Sequence, residues 1–294
     1  MTTESYTCVR RNDNVLSSTS DLSILGEGFD ASKETFLFVS PHDDDIAIGG
    51  ALMVLAAIAE GIPVHIGIVT DGSAGYCSME EKETIADIRR AETYASFEML
   101  GVPVENIHWM GIPDGQTARY QGRYAAEPGT PGEVCGFTGM QNVITKTLRD
   151  VRPTRVFLPT SADLHPDHKI THSETMISLF HAAGTIWPEL GGPIPAVPEV
   201  YELAIYCDFP SAPEIQLQVD SDTFQKKLDS ILAYQSQKQI ASLVKSVSAA
   251  GPYEQYRPIY WELYDLKPFL PLFEGAPAPG KSPSGCKCDC SCSG

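Results

Sequence analysis

The chain has 294 residues, with 21 basic against 38 acidic side chains and a formal charge of −17. A surface this acidic repels phosphate backbones and anionic lipid, so neither nucleic acid nor a membrane is expected as a partner. Hydrophobic residues make up 43%, enough for a core, while the longest uncharged apolar stretch, Ile46 to Ala59, is 14 residues, short of the about 20 that span a bilayer. The polar start, MTTESYTCVRRNDN, has no signal-peptide segment, so a soluble, cytoplasmic protein is expected. Cys8, Cys77, Cys135 and Cys207 lie far apart and the other four sit in the last nine residues, unlike a secreted disulfide framework.

In chain order, residues 1–33 are polar and read as an extension or outer hairpin. FLFVS (36–40) reads as a buried strand, followed by one apolar helix over 46–60 that Gly61 and Pro63 end. VHIGIVT (64–70) is the second strand, residues 80–100 an amphipathic helix closed by Gly101, and NIHWMG (106–111) a third strand. A Gly-, Tyr- and Pro-rich loop covers 113–139, long enough to suggest a functional role. A helix (141–150), a strand (155–160), a helix (167–183), strands at 201–206 and 215–219 and a helix from 222 to 237 complete the regular elements. This alternation predicts an α/β, three-layer, Rossmann-like domain over 34–274 with a largely parallel sheet, and a binding site at the C-terminal edge of the strands. Residues 275–294 read as a disordered Pro/Gly/Ser linker with a Cys-rich tail, whose alternating cysteines match structural zinc spacing poorly.

Two loops that follow strands concentrate metal-type ligands. One is Pro41-His42-Asp43-Asp44-Asp45; the other runs from Asp163 through His165-Pro166-Asp167-His168 to His172 and holds three of the seven histidines. Imidazole and carboxylate suit zinc or another divalent metal, and three protein ligands leave a position for water. His42 and Asp45 can converge from one turn, with a histidine of the second loop completing the set, either His168 or, one helical turn on, His172. A free carboxylate beside them, Asp44, would serve as a general base. This chemistry is metal-assisted hydrolysis.

With these residues in place, the sequence resembles the LmbE-like, or PIG-L, zinc-dependent de-N-acetylases. Pro41 to Asp45 is similar to their (A/P)HPDDE signature and His165 to His168 matches their HPDH motif. The resemblance implies His42, Asp45 and His168 as zinc ligands and Asp44 as base. It makes His165 the histidine that, as its imidazolium, stabilises the oxyanion. Arg89, in an R-x-x-E pattern, is implied as a substrate contact, where the residues alone allow a surface salt bridge to Glu92. Asp114 follows a strand and is a second candidate substrate contact, and Tyr120, Arg123 and Tyr124 a candidate pocket wall. Asp43 replaces the usual Pro and Ile46 the usual acid; Asp43 reads as solvent-facing or adjacent to the site. The implied activity is deacetylation of an N-acetylated amino sugar of the N-acetylglucosamine type or its conjugate, by an enzyme for which a homo-oligomer is compatible. The alternatives are a metal-dependent amidase, esterase or phosphoesterase on a non-sugar substrate, and a non-catalytic metal- or ligand-binding protein.

Overall fold

The computed structural model describes residues 6–13, 15–260 and 264–276. Met1–Ile259 forms one compact unit and Tyr260–Gly294 a second. In chain order the first unit contains β1 (Tyr6–Asn12), β2 (Val15–Thr19), β3 (Phe36–Ser40), α1 (Asp45–Gly49), α2 (Ala51–Ala59), β4 (Val64–Thr70), α3 (Ile85–Met99), β5 (Ile107–Ile112), β6 (Tyr124–Ala125), β7 (Phe137–Thr138), α4 (Met140–Val151), β8 (Arg155–Pro159), α5 (Pro166–Ala183), β9 (Glu199–Leu203), β10 (Ile215–Val219), α6 (Ser221–Leu232), α7 (Ile240–Ala250) and β11 (Tyr253–Ile259).

Nine strands make one sheet in the order β2-β1-β10-β11-β9-β8-β3-β4-β5. The expectation of a largely parallel sheet holds for only part of it. Strands β9, β8, β3, β4 and β5 run parallel, whereas β2, β1, β10 and β11 join antiparallel to their neighbours. The parallel strands read as continuous apolar runs because helices cover both faces. Ile66 and Ile68 of β4 pack with Leu52 and Met53 of α2, while a Cβ on Gly67 between them would meet Thr147 of α4. The antiparallel half alternates instead: β10 (IQLQV) buries Ile215, Leu217 and Val219 and leaves Gln218 exposed. Residues 1–33, expected as an extension or outer hairpin, supply the β1–β2 edge hairpin, and Cys8, Leu22 and Leu25 are buried in the core.

Across the centre, Phe38 and Phe157 stack at 4.5 Å and Phe157 and Tyr201 at 5.1 Å, tying β3, β8 and β9 below the site. The single helix expected over 46–60 is broken at Gly50 into α1 and α2. Buried Glu254 of β11 accepts from the Leu52 and Met53 N–H groups, satisfying the start of α2, and pairs with Lys227. Arg149 at the end of α4 donates to the carbonyls of Ala182, His181, Gly184, Ile186, Trp187 and Gly191, and so fixes the end of α5 and the turn beyond it.

The second unit contains a short 3-10 helix (Lys267–Phe273). The expected boundary at residue 274 falls inside this unit, and the Cys-rich tail lies outside the described residues. No helix among the described residues is long and apolar enough to cross a membrane.

At the start of β4, His65 Nδ1 lies 3.0 Å from His108 Nε2 of β5. Burial, and then the charge of His108, lower the pKa of His65 from 6.5 to about 4. The unfolded chain therefore takes up a proton near pH 6.5 that the folded chain refuses until about pH 4. Stability is greatest above pH 6.5 and falls as the pH drops through this window. Urea titrations at pH 7 and 5 are expected to show a smaller decline for His65→Leu than for the parent; an equal decline would remove His65 from the account.

Candidate metal centre and active site

Both ligand-bearing loops open at the C-terminal edge of adjacent parallel strands, the first after β3 and the second after β8. In the first loop the chain passes from Ser40 into α1 in four residues. Asp44 stands at the helix N-cap and Asp45 at the first helical position, which turns their side chains back toward the strand end. In the second loop, His165 caps α5 and Pro166 occupies its first turn, so His168 lies one turn inside, on the face toward β3 and β8.

Three donor atoms converge. His42 Nδ1 lies 3.2 Å from Asp45 Oδ2 and 3.2 Å from His168 Nε2, and His168 Nε2 lies 3.3 Å from Asp45 Oδ2. Zinc–ligand bonds of about 2.0–2.1 Å arranged tetrahedrally put ligand atoms about 3.3–3.4 Å apart, so this triangle has the edge lengths of a metal tripod. The other Asp45 oxygen, Oδ1, is buried with no hydrogen-bond partner, an arrangement that a bound cation would relieve. The donor set therefore fits a divalent metal. Two further groupings, His42–His165–His168 and His42–Asp114–Asp167, also bring ligand atoms within 4.8 Å of one another. We assign the tripod to the first triangle because Asp114 and Asp167 face the opposite nitrogen of His42.

The outer nitrogens are also held. His42 Nε2 lies 3.3 Å from Asp167 and 3.4 Å from Asp114, and His168 Nδ1 lies 3.0 Å from Asp163. Carboxylates in these positions fix the tautomer and orientation of metal-binding imidazoles. Asp167 is itself anchored by Thr117 and by the Gly115 N–H at 3.1 Å, which ties the 113–117 loop to α5. Burial works against charging His42, but Asp45, Asp114 and Asp167 outweigh it and hold its pKa well above 6.5. His168 is raised for the same reason, with Asp45 overcoming burial. A divalent ion held by these imidazoles would have to displace the protons that the carboxylates favour on them. Loading with zinc is expected to release protons into weak buffer and to weaken as the pH falls. Asp45→Ala or His168→Ala should lower bound metal by one per chain relative to the parent. Proton-neutral loading, or unchanged metal content, would overturn the assignment.

Other expected site residues stand as follows. Asp44 is adjacent to the triangle and its Oδ1 lies 3.4 Å from Arg89 Nη2. Arg89 is not placed to meet a substrate: it is buried and donates to Asp43 through Nε, at 3.0 and 2.9 Å, and through Nη2. Nor does it pair with Glu92, which accepts from the Ser236 N–H and hydroxyl. Asp43 is correspondingly buried rather than solvent-facing, and also accepts from Thr93 at 2.9 Å. Tyr234 donates to the Asp43 carbonyl at 2.6 Å, and its ring faces the Arg89 guanidinium at 5.2 Å. Burial pushes the Asp43 carboxyl up to about 6 against the pull of Arg89, so the pair is charged at neutral pH. Asp114 turns one oxygen to His42 and accepts the Ala74 N–H with the other, so it braces a ligand rather than facing open space.

His172 stands outside the triangle, with Nδ1 2.9 Å from the Pro159 carbonyl, so of the two histidines only His168 joins His42 and Asp45. His165 Nδ1 accepts the Asp167 N–H at 3.3 Å. Burial, followed by the charges of His42 and His168, lowers its pKa. This shift favours the neutral ring, with Nδ1 accepting and Nε2 carrying the proton, over the imidazolium that the resemblance implies. Arg123 is committed to packing, against Phe137 at 3.5 Å and Trp187 at 4.6 Å and paired with Glu189, and Tyr124 donates to the Arg119 carbonyl, so neither is a free pocket wall. Reading the sequence missed Asp163 as the carboxylate behind His168, although it opens the His-rich loop. It also missed Tyr206, whose ring lies over the site and which no motif marks.

Fold and site together give an α/β protein with a carboxylate–histidine cluster at its strand edge whose donors fit a divalent metal. Residues 37–178 match the family model for PIG-L, GlcNAc-PI de-N-acetylase. This stretch, a little under half of the chain, is thus similar to the PIG-L, or LmbE-like, family. It is 27% identical over 161 residues to the mycothiol S-conjugate amidase of Streptomyces coelicolor, covering 50% of this chain and 52% of the relative. The chain thus spans about half the length of the curated relative it matches. Among solved structures it resembles N,N'-diacetylchitobiose deacetylase from Pyrococcus horikoshii, with TM-score 0.62 and 22% identity over 81% of this chain and 88% of that one. It also resembles the 4-carboxy-2-hydroxymuconate hydratase GalB from Pseudomonas putida KT2440, with TM-score 0.59 and 17% identity over 79% and 98%. A deacetylase and a hydratase on one fold show that the reaction has to be argued from the site residues.

Proposed function

We propose that the chain is a metal-dependent hydrolase that removes the acetyl group from an N-acetylated amino sugar or its conjugate. The observation that carries this reading is the donor triangle of His42, Asp45 and His168, with the unligated carboxylate of Asp44 beside it and the His165 Nε2–H at its rim. The family match and the curated amidase relative support a reaction at an amide bond.

His42, Asp45 and His168 would hold a divalent ion, zinc being the one best suited to the set, and once bound it would supply Lewis acidity toward a carbonyl oxygen and toward water. Asp44 takes a proton from the attacking water and returns it to the amide nitrogen as the C–N bond breaks. Arg89 steadies Asp44 through its Oδ1 at 3.4 Å. The neutral His165 donates Nε2–H to the developing oxyanion without itself giving up a proton. The products are acetate and a free amine.

The test is acetate release from N-acetylglucosamine and its conjugates, by metal-stripped and zinc-reloaded protein. Zinc-dependent release of acetate is the expected result. Retained metal with release only from larger acylamides would move the reading to a general amidase, the alternative that the printed name of the curated relative favours. Turnover of aryl phosphates alone would overturn both.

A further inference from the structure

Strand β9 ends at Leu203, beside the strand that delivers His165 and His168, and the chain then turns over the site. The turn is seated firmly. A Cβ on Gly49 would come within 2.7 Å of the Ala204 carbonyl oxygen and 3.0 Å of the Ile205 side chain, so this backbone rests directly on α1. The next residue, Tyr206, places its ring 4.9 Å from that of His168 at 30° and 6.1 Å from that of His165 at 43°. His168 is fully buried, yet Tyr206 is 54% exposed. The ring therefore shields a metal ligand on one side and presents its remaining surface to whatever enters the site.

We propose that Tyr206 is the platform on which the pyranose ring of the substrate stacks, making it a specificity-determining residue for the amine half of the molecule. An acetyl group ends one carbon beyond its carbonyl, so a ring out on the rim meets the part of the substrate attached to nitrogen. The face of a phenol is electron-rich and accepts the polarised C–H groups on the apolar face of a sugar, whereas a linear amine offers no matching flat surface. The turn's seat on Gly49 sets the height of the platform above the metal ligands.

This inference rests on the deacetylase reading, and the experiment separates the two. Steady-state kinetics are measured on N-acetylglucosamine and on N-acetylbutylamine with Tyr206→Phe, Tyr206→Leu and Tyr206→Ala, together with metal content. Tyr206→Phe should stay within twofold of the parent. Tyr206→Leu and Tyr206→Ala should raise KM for the sugar about tenfold with kcat and metal content unchanged, and leave the linear amide unaffected. Equal effects on both substrates, lost metal, or a kcat defect in Tyr206→Phe would overturn the platform. Ligand-observed NMR of N-acetylglucosamine binding to metal-free protein gives the independent readout. Binding that depends on Tyr206 without any turnover sinks the reaction and keeps the platform; turnover with binding indifferent to Tyr206 does the reverse.

Discussion

Asp44→Asn should lower kcat for acetate release by about 10²–10⁴-fold, the range typical of a lost general base, while bound metal stays at the parental level. The two halves of this expectation come from separate observations. Asp44 contributes no atom to the triangle formed by His42, Asp45 and His168, so the site keeps all its donors. It is nevertheless the neighbouring carboxylate that no metal ligand engages, held by Arg89 at 3.4 Å. The substitution preserves shape and removes the basic oxygen, which isolates proton transfer from packing. Metal analysis and acetate release on one preparation check both halves. A loss of less than tenfold would place the base elsewhere, and a loss of metal would mean that Asp44 is a ligand.

Asp43→Leu is expected to destabilise the fold by about 3 kcal/mol, because the buried Arg89 loses its hydrogen-bonded partner and keeps only the more distant Asp44, 3.4 Å away. Here the cost comes from the partner left behind: Arg89 is 4% exposed and its bonds to Asp43 have no aqueous substitute. Adding Arg89→Met should restore most of the stability, since a buried pair replaced by apolar side chains is often close to neutral. It should not restore activity, because Asp44 then lacks the guanidinium that steadies it. Urea denaturation and acetate release on the single and double variants separate these effects. A double variant that regains full activity would reduce Arg89 to a purely structural partner of Asp43.

That pair also shows where the sequence was legible. The convergence of His42, Asp45 and His168 was readable because metal chemistry restricts residue type and spacing, and both loops follow apolar strands whose ends must share one edge. Arg89 was misread because a buried arginine and a substrate-binding arginine look alike in a helix. What decides between them is Asp43, 46 positions away in sequence. The unusual residue at 43 held the answer, but only contact in three dimensions joins it to Arg89. The parallel strands were legible from their unbroken apolar runs. The antiparallel half was not, because YTCVRRN and YEQYRPI carry polar residues on an open face and resemble loops until β10 and β11 pair. The break between α1 and α2 was hidden for a related reason, since its compensating acceptor, Glu254, arrives from the last strand.

The placement of β1 has a consequence for biosynthesis. It is made long before its partner β10, Ile215–Val219, with Tyr6 opposite Val219. Everything that forms the donor triangle lies between His42 and His168. Synthesis from His168 to Val219 takes about 3–10 s at roughly 5–20 residues per second. Throughout that interval the nascent chain already contains His42, Asp45 and His168, while β1 has only β2 beside it and its other edge waits for β10. The order of emergence thus brings the three donor residues out before the far edge of the sheet is sealed, and leaves one edge of the β1–β2 hairpin open for that time, an edge that a holding chaperone has reason to cover.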